Sequence, residues 1–321
     1  MRCRWWAGFL GLGALVSASA AMASPCRMTP VAQVPLHDDG LFLHIPVMLD
    51  GRAASVLVDT GSEGSLITPE GADRLRLRPD AAHATFMQGP NGRGQLVPNL
   101  LVSSMRIGAM DLGARTMPLG ALPGLPAVTP PIMGLIGADA WHGYDLEIDA
   151  PHGRLTLWAV RLGSTVCRRP PDWPDGYAAL PAFTDGGRLT VAFQLDGRAG
   201  RALVDSGARS HIVARRFAHE LGIGDDALAR DPGGITSGVD LNARRYMWHR
   251  FHRLTLGDGA GTTNAANPAW SAPVLTVSDI RDSADMLLGA DWFARHDVWL
   301  SYSTGQVFVA APESPRVPLR R

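Results

Sequence analysis

The chain has 321 residues, of which 30 are basic and 30 acidic, so its formal charge is zero. That length holds two domains of ordinary size with a core each. A balanced charge with no basic stripe argues against nucleic acid as a partner. Arg2 and Arg4 precede an apolar stretch from Trp5 to Val16, and small residues follow up to Ala21-Met22-Ala23. This pattern predicts a secretory signal over residues 1–23, cleaved before Ser24, and hence a periplasmic or secreted protein. The alternative, an N-terminal membrane anchor, asks for a longer apolar run, and no later stretch is long enough to span a bilayer. Cleavage removes Cys3 and leaves Cys26 and Cys167, which in an exported chain are expected to form a disulfide. A loop that long contributes about 5 kcal/mol on the chain-entropy model. Two free thiols are the other reading.

After the signal, residues 24–160 read as a first lobe. Leu41, Leu43, Ile45, Val47 and Leu49 alternate at period two as a half-buried strand does. Asp50-Gly51 is a hairpin turn signal, and Ser55 to Val58 is apolar enough to be buried on both faces. That strand delivers Asp59-Thr60-Gly61, after which Thr68 and Pro69 cap and open a short helix. The Pro-rich stretch Leu122 to Met133 reads as a surface loop. Ala140 to Tyr144 reads as a second short helix, and Leu146 to Ile148 with Leu155 to Trp158 as a strand pair. Proline and glycine then break all periodicity in a connector over 161–180.

The second lobe, 181–311, repeats the first, and a tail of 312–321 follows. At a constant offset of 146 positions, VLVDTGSEGSLIT around Asp59 returns as ALVDSGARSHIVA around Asp205. At the same offset Gly40 matches Gly186 and Leu49-Asp50-Gly51-Arg52 matches Leu195-Asp196-Gly197-Arg198; after short insertions the offset slips to 152, where Leu135-Ile136-Gly137-Ala138-Asp139 returns as Leu287-Leu288-Gly289-Ala290-Asp291. A chance pair of tripeptides would not carry its surroundings along, so the chain is an internal duplication. Its elements predict an all-β fold with short helices, in two lobes.

Each copy offers one carboxylate at the end of a buried strand. Two carboxylates held about 3 Å apart cannot both ionise, and so share a proton. One is then a base that deprotonates water and the other an acid that polarises a carbonyl, which hydrolyses an amide with no metal and no cofactor. Gly61 and Gly207 let backbone pack behind the carboxylates, while the hydroxyls of Thr60 and Ser206 are placed to lock the two turns together.

Asp59-Thr60-Gly61-Ser62 and Asp205-Ser206-Gly207-Ala208, each followed downstream by an apolar-apolar-Gly segment, resemble the pepsin and retropepsin superfamily of aspartic proteases. The bacterial retropepsin-like group in tandem form is the most similar. The resemblance spans Gly40 to Trp158 and Gly186 to Val309. It implies a bilobal acid-protease fold, peptide or protein substrates, catalysis by Asp59 and Asp205, and bracing strands at Leu135-Ile136-Gly137 and Leu287-Leu288-Gly289. It also implies hairpin flaps at His83 to Pro98 and Gly233 to Asn242. Three departures stand out: the first flap has no tyrosine, only Phe86; Ala208 stands where the first copy has Ser62; and Ser24 to Asp39 is short for a masking pro-segment. A Ser62 hydroxyl on its carboxylate would make Asp59 the more acidic partner and leave the shared proton on Asp205. An Ala208→Ser change would then lower the pH optimum.

Other polar residues have plainer readings. His249 and His252 would fall on opposite faces of a strand and are not expected to bind metal. Ser210-His211 lacks a nucleophile-elbow pattern. Asp139 and Asp291 read as helix caps, Asp145 and Asp297 as structural, and the tryptophans, Trp141 and Trp158 among them, as core. The duplication predicts a monomer, against an assembly in which each lobe pairs with another molecule. A silent relative that binds peptides in the same cleft is the alternative to an enzyme.

Overall fold

The alternating segments fold as the hairpin strands they predict. A computed structural model describes residues 27–89, 94–161, 177–237, 243–257, 269–280 and 282–310. The expected signal 1–23, Cys26, Cys167, most of the connector and the tail lie outside the described residues. Leu43–Leu49 pairs antiparallel with Arg52–Val58, and Arg188–Leu195 with Arg198–Val204. Between them, Gly51 and Gly197 take φ of 74° and 82°, the positive values a tight turn demands. Ile45 and Leu49 in one copy, and Val191, Phe193 and Leu195 in the other, are fully buried.

Among the described residues the strands form an eight-stranded sheet in the first lobe and a fifteen-stranded sheet that is not confined to the second. Arg27–Pro35 pairs with Arg154–Arg161, which pairs with Asp145–Asp149. Asp145–Asp149 continues onto Asp297–Ser301, then Gln306–Val309 and Ala178–Asp185. The final strand pairs of the two copies therefore lie side by side and carry one sheet across the lobe boundary. Period-two patterning gives a strand its faces but not its partners, so this bridge could not be read from sequence.

Three local expectations are corrected. Ala178 to Leu180, expected in the connector, are already strand. The helices after the Gly-Ala-Asp segments sit earlier, as a 3₁₀ turn at Ala138–Ala140 and a helix at Ala290–Phe293. Their N-caps are Gly137 and Gly289, so Asp139 and Asp291 lie inside the first turn and cap nothing. Finally, Leu122, Leu125 and Val128 of the expected surface loop pack on Leu57, Leu66 and Leu135, and the loop ends in buried strand at Ile132–Ile136.

Three residues take the places expected of them. Thr68 Oγ1 accepts from Gly71 N at 3.0 Å and opens the helix Pro69–Leu75. Trp141 is buried, and its Nε1 donates to Tyr302 Oη at 3.1 Å. Asp145 is fully buried and accepts from Trp299 Nε1, Ser301 Oγ and Ser303 N at 3.1, 2.7 and 2.9 Å. No helix among the described residues is long and apolar enough to cross a membrane.

Candidate active site

Each aspartate turn begins where a buried strand meets a parallel neighbour. Arg52–Val58 runs beside Ile132–Ile136, and Arg198–Val204 beside Met286–Leu288. Asp59 N donates to Ile136 O and Asp205 N to Leu288 O, both at 3.0 Å, so each aspartate leaves the sheet between two strands. Leu66–Ile67 and Ile212–Ala214 return antiparallel on the far side of those neighbours. The threaded strand must pass close under the loop after the aspartate. A Cβ on Gly137 would stand 2.7 Å from Gly64 O, and one on Gly289 would overlap Ser210 O. That close approach is why the apolar-apolar segment ends in glycine.

The two turns are locked by reciprocal hydrogen bonds. Thr60 Oγ1 donates to Val204 O at 2.7 Å and accepts from Ser206 N at 3.0 Å. Ser206 Oγ donates to Val58 O at 2.6 Å and accepts from Thr60 N at 3.1 Å. Thr60 and Ser206 are both buried, so each hydroxyl satisfies a carbonyl and an amide that water does not reach.

This lock sets the carboxylates face to face. A Cβ placed on Gly61 would overlap the Asp205 carboxyl carbon, and one on Gly207 would overlap that of Asp59. Only glycine leaves room for the opposite acid. Each carboxyl bears directly on the other's titration. Burial, and then the facing Asp205 charge, hold Asp59 well above the usual carboxylate range. Burial also lifts Asp205, against two N–H donors, Gly207 and Ala208, both at 3.0 Å. Asp59 Oδ1 accepts from Gly61 N at 3.0 Å.

The Ser62 hydroxyl does not support the expected proton assignment. The Ser62 hydroxyl donates to Gly64 O at 2.8 Å and is spent on the turn, not on Asp59. Backbone N–H groups bear on both acids, Gly61 and Ser62 on Asp59 and Gly207 and Ala208 on Asp205, while the facing charge raises Asp59, which favours the shared proton there. With Ser62 turned to Gly64 O, a serine at 208 is not expected to lower the pH optimum.

Sequence reading missed how the loops are braced. Ser65 Oγ donates to Asp139 Oδ1 at 2.7 Å and accepts from Gly137 N at 3.1 Å. In the second copy, His211 Nδ1 lies 2.8 Å from both Asp291 oxygens. Ser65 and His211 are equivalent positions of the repeat, so the repeated acids tie the loop after each aspartate to its bracing strand; that repetition was the available signal. Ser210 Oγ pairs with Thr276 Oγ1 at 3.1 Å, and His249 Nδ1 with Asp231 Oδ2 at 2.6 Å. Among the described residues no group of three or more metal-ligating side chains is placed to hold an ion.

Both expected flaps are hairpins as far as they are described. Arg78–Gln88 pairs with Gly94–Ile107 and Gly233–Thr236 with Arg244–Arg250, while residues 90–93 and 238–242 lie outside the described residues. Phe86 is exposed and its ring covers Gly94. Met87 joins Phe42 and Leu122 in an apolar cluster built on Leu57, two residues before Asp59.

The sequence profile of the aspartyl protease family matches residues 45–140 and again 191–292, one match for each lobe. Together these matches take in more than half of the chain, which belongs to the aspartyl protease family in its tandem, retropepsin-like form. No curated protein matches it. Among solved structures, basic 7S globulin from soybean is similar over 90% of this chain and 96% of its own, at 12% identity and a TM-score of 0.46.

Proposed function

We propose that this chain is an exported aspartic endopeptidase, monomeric, in which Asp59 and Asp205 together activate a water to hydrolyse a peptide bond. The observation that carries the reading is the reciprocal seat of the dyad, each carboxylate lodged against the glycine of the opposite turn. Asp205, ionised, takes a proton from the water; Asp59, protonated, hydrogen-bonds the scissile carbonyl and stabilises charge developing on its oxygen. Thr60 and Ser206 hold the turns at that spacing, and Gly61, Ser62, Gly207 and Ala208 supply N–H groups or room behind the acids. The apolar cluster beside Asp59 offers an apolar peptide side chain a place to bury. Export rests on the signal-like residues 1–23 and the cysteine pair Cys26 and Cys167.

The test is cleavage of a mixed peptide library from about pH 3 to about pH 8 by the parent, Asp59→Asn and Asp205→Asn. Chemistry needs one acid ionised and one protonated. Activity is thus lost as pH falls through the lower apparent value of the pair and as it rises through the upper one. Loss of cleavage in both folded variants supports the dyad. A folded parent that cleaves nothing at any pH makes the chain a peptide-binding relative instead.

A further inference from the structure

The two catalytic turns are gripped a second time, by side chains that reach across the lobes. Glu63, four residues after Asp59, lies over Gly186 of the second lobe and 3.6 Å from Arg188 Nη2. Arg209 is the repeat equivalent of Glu63, and it does the same in reverse. Its Nη2 donates to Gly40 O at 3.1 Å, and its guanidinium stands 5.0 Å over the Phe42 ring. Gly40 and Gly186 are equivalent, and so are Phe42 and Arg188. One crossing is a cation on an aromatic ring; the other is ionic, because an arginine stands where the first copy has phenylalanine.

Arg188 does more than its counterpart. Its side chain is only 11% exposed, and Nη1 lies 3.4 Å from the Gly61 carbonyl, inside the first catalytic turn. The same Nη1 donates to Asp282 Oδ2 at 2.8 Å, while Nη2 meets Asp185 Oδ2 at 3.2 Å. Three carboxylates from three segments thus face one guanidinium: Glu63 from the first turn, Asp185 before the hairpin, and Asp282 before Met286–Leu288. Outside the dyad, the charge of Asp282 bears on Asp205 and raises it. Although partial burial works the other way, the Arg188 hydrogen bond, the Ala284 N–H and the Arg188 charge hold Asp282 below its usual range, hence ionised.

We propose that Arg188 is a positioning residue for the dyad, clamping the Gly61 carbonyl from the opposite lobe and screening Asp205 from the Asp282 carboxylate. The proposal rests on the peptidase reading for its kinetic consequences, but not for its electrostatic one. The guanidinium sets two things at once: the height of the first turn, and the acidity of the carboxylate that must ionise. A neutral side chain at 188 leaves the Asp282 charge uncompensated, and negative charge beside Asp205 raises its pKa. Removing Asp282 does the opposite.

Arg188→Gln, Asp282→Asn, the double variant and Arg188→Lys should be compared with the parent in two measurements. These are the pH profile of kcat/KM on a dyad-dependent peptide and the titration of the Asp59 and Asp205 carboxyl carbons by NMR. Arg188→Gln is expected to move the acid limb and the Asp205 titration upward by roughly one pH unit. Asp282→Asn is expected to move both downward, and the double variant to return them towards the parent. Arg188→Lys keeps the charge but not the two-pronged reach, so it holds the acid limb and lowers kcat with KM little changed. A loosened fold would shift the two single variants the same way. Shifts in one direction, or none, overturn the proposal, and if Arg188→Gln does not fold, Asp282→Asn still decides by the sign of its shift. A parent without dyad-dependent cleavage removes only the peptidase reading, since the carboxyl titrations still report on the clamp.

Discussion

Asp297→Asn should make the protein more stable above neutral pH while leaving it nearly unchanged in acid. Asp297 opens the strand that carries the sheet between lobes and faces Asp149 across the ladder. Asp149 is satisfied by His152 Nδ1 and Arg154 Nη2, each at 2.6 Å, whereas Asp297 Oδ1 is buried with no hydrogen-bond partner among the described residues. Burial, then the charges of Glu147 and Asp149, push Asp297 up to about 8. In the unfolded chain it titrates near about 3.9. Between those values the folded protein holds a proton that the unfolded chain has released, so stability falls as pH rises and levels off above the folded value. At about 1.4 kcal/mol per pK unit the ceiling is about 6 kcal/mol. Water at a partly exposed carboxylate and relaxation of the strand bring the expectation to about 2–3 kcal/mol. Asparagine keeps the shape and removes the titration. Urea midpoints of parent and variant should therefore coincide near pH 4.5 and separate steadily to pH 8.5, with the variant higher. Two curves that run parallel over this range would refute the reasoning.

Further predictions concern the turns and the cysteines. Thr60→Val strips two hydrogen bonds and leaves the Val204 carbonyl buried without its donor, so about 2–4 kcal/mol of stability and most cleavage should go; denaturant midpoints and peptide turnover check both. Thr60→Val with Ser206→Ala should cost less than the sum of the singles, because they belong to one network, and strict additivity would count against the lock. Gly207→Ala is expected to keep the fold, since Gly207 is exposed, yet to displace Asp59 and cut kcat/KM by about 100-fold or more. A folded variant with parental activity would show that the opposite acid is not seated there. If the protein is exported as proposed, Cys26 and Cys167 are expected to pair; two thiols titrated under denaturing, non-reducing conditions would end that expectation.

The dyad was legible in the chain because a duplication prints each functional feature twice. Asp59 with Asp205, Thr60 with Ser206 and Gly137 with Gly289 all recur with their surroundings, and chemistry follows from two carboxylates that must share a proton. The proton's place was not legible. Ser62 beside Asp59 suggested a hydroxyl on the carboxylate, but a rotamer aims it at Gly64 O, and rotamers are set by the packed loop. Asp139 and Asp291 likewise looked like caps at the start of helices, whereas the structure turns them to Ser65 and His211.

Sequence by itself determined the local and the repeated: strands from period two, turns from Asp-Gly, a pair of equivalent aspartates, and therefore two lobes. It did so because backbone preference and side-chain alternation act over a few residues, and a repeat copies them faithfully. The tertiary structure decided what depends on approach between distant segments. It chose which strands bridge the lobes, which glycine receives which carboxylate, and that Arg188 crosses to the Gly61 carbonyl while its counterpart Phe42 receives Arg209. Those contacts join residues more than a hundred positions apart, where register and distance are fixed by the packing of both cores together.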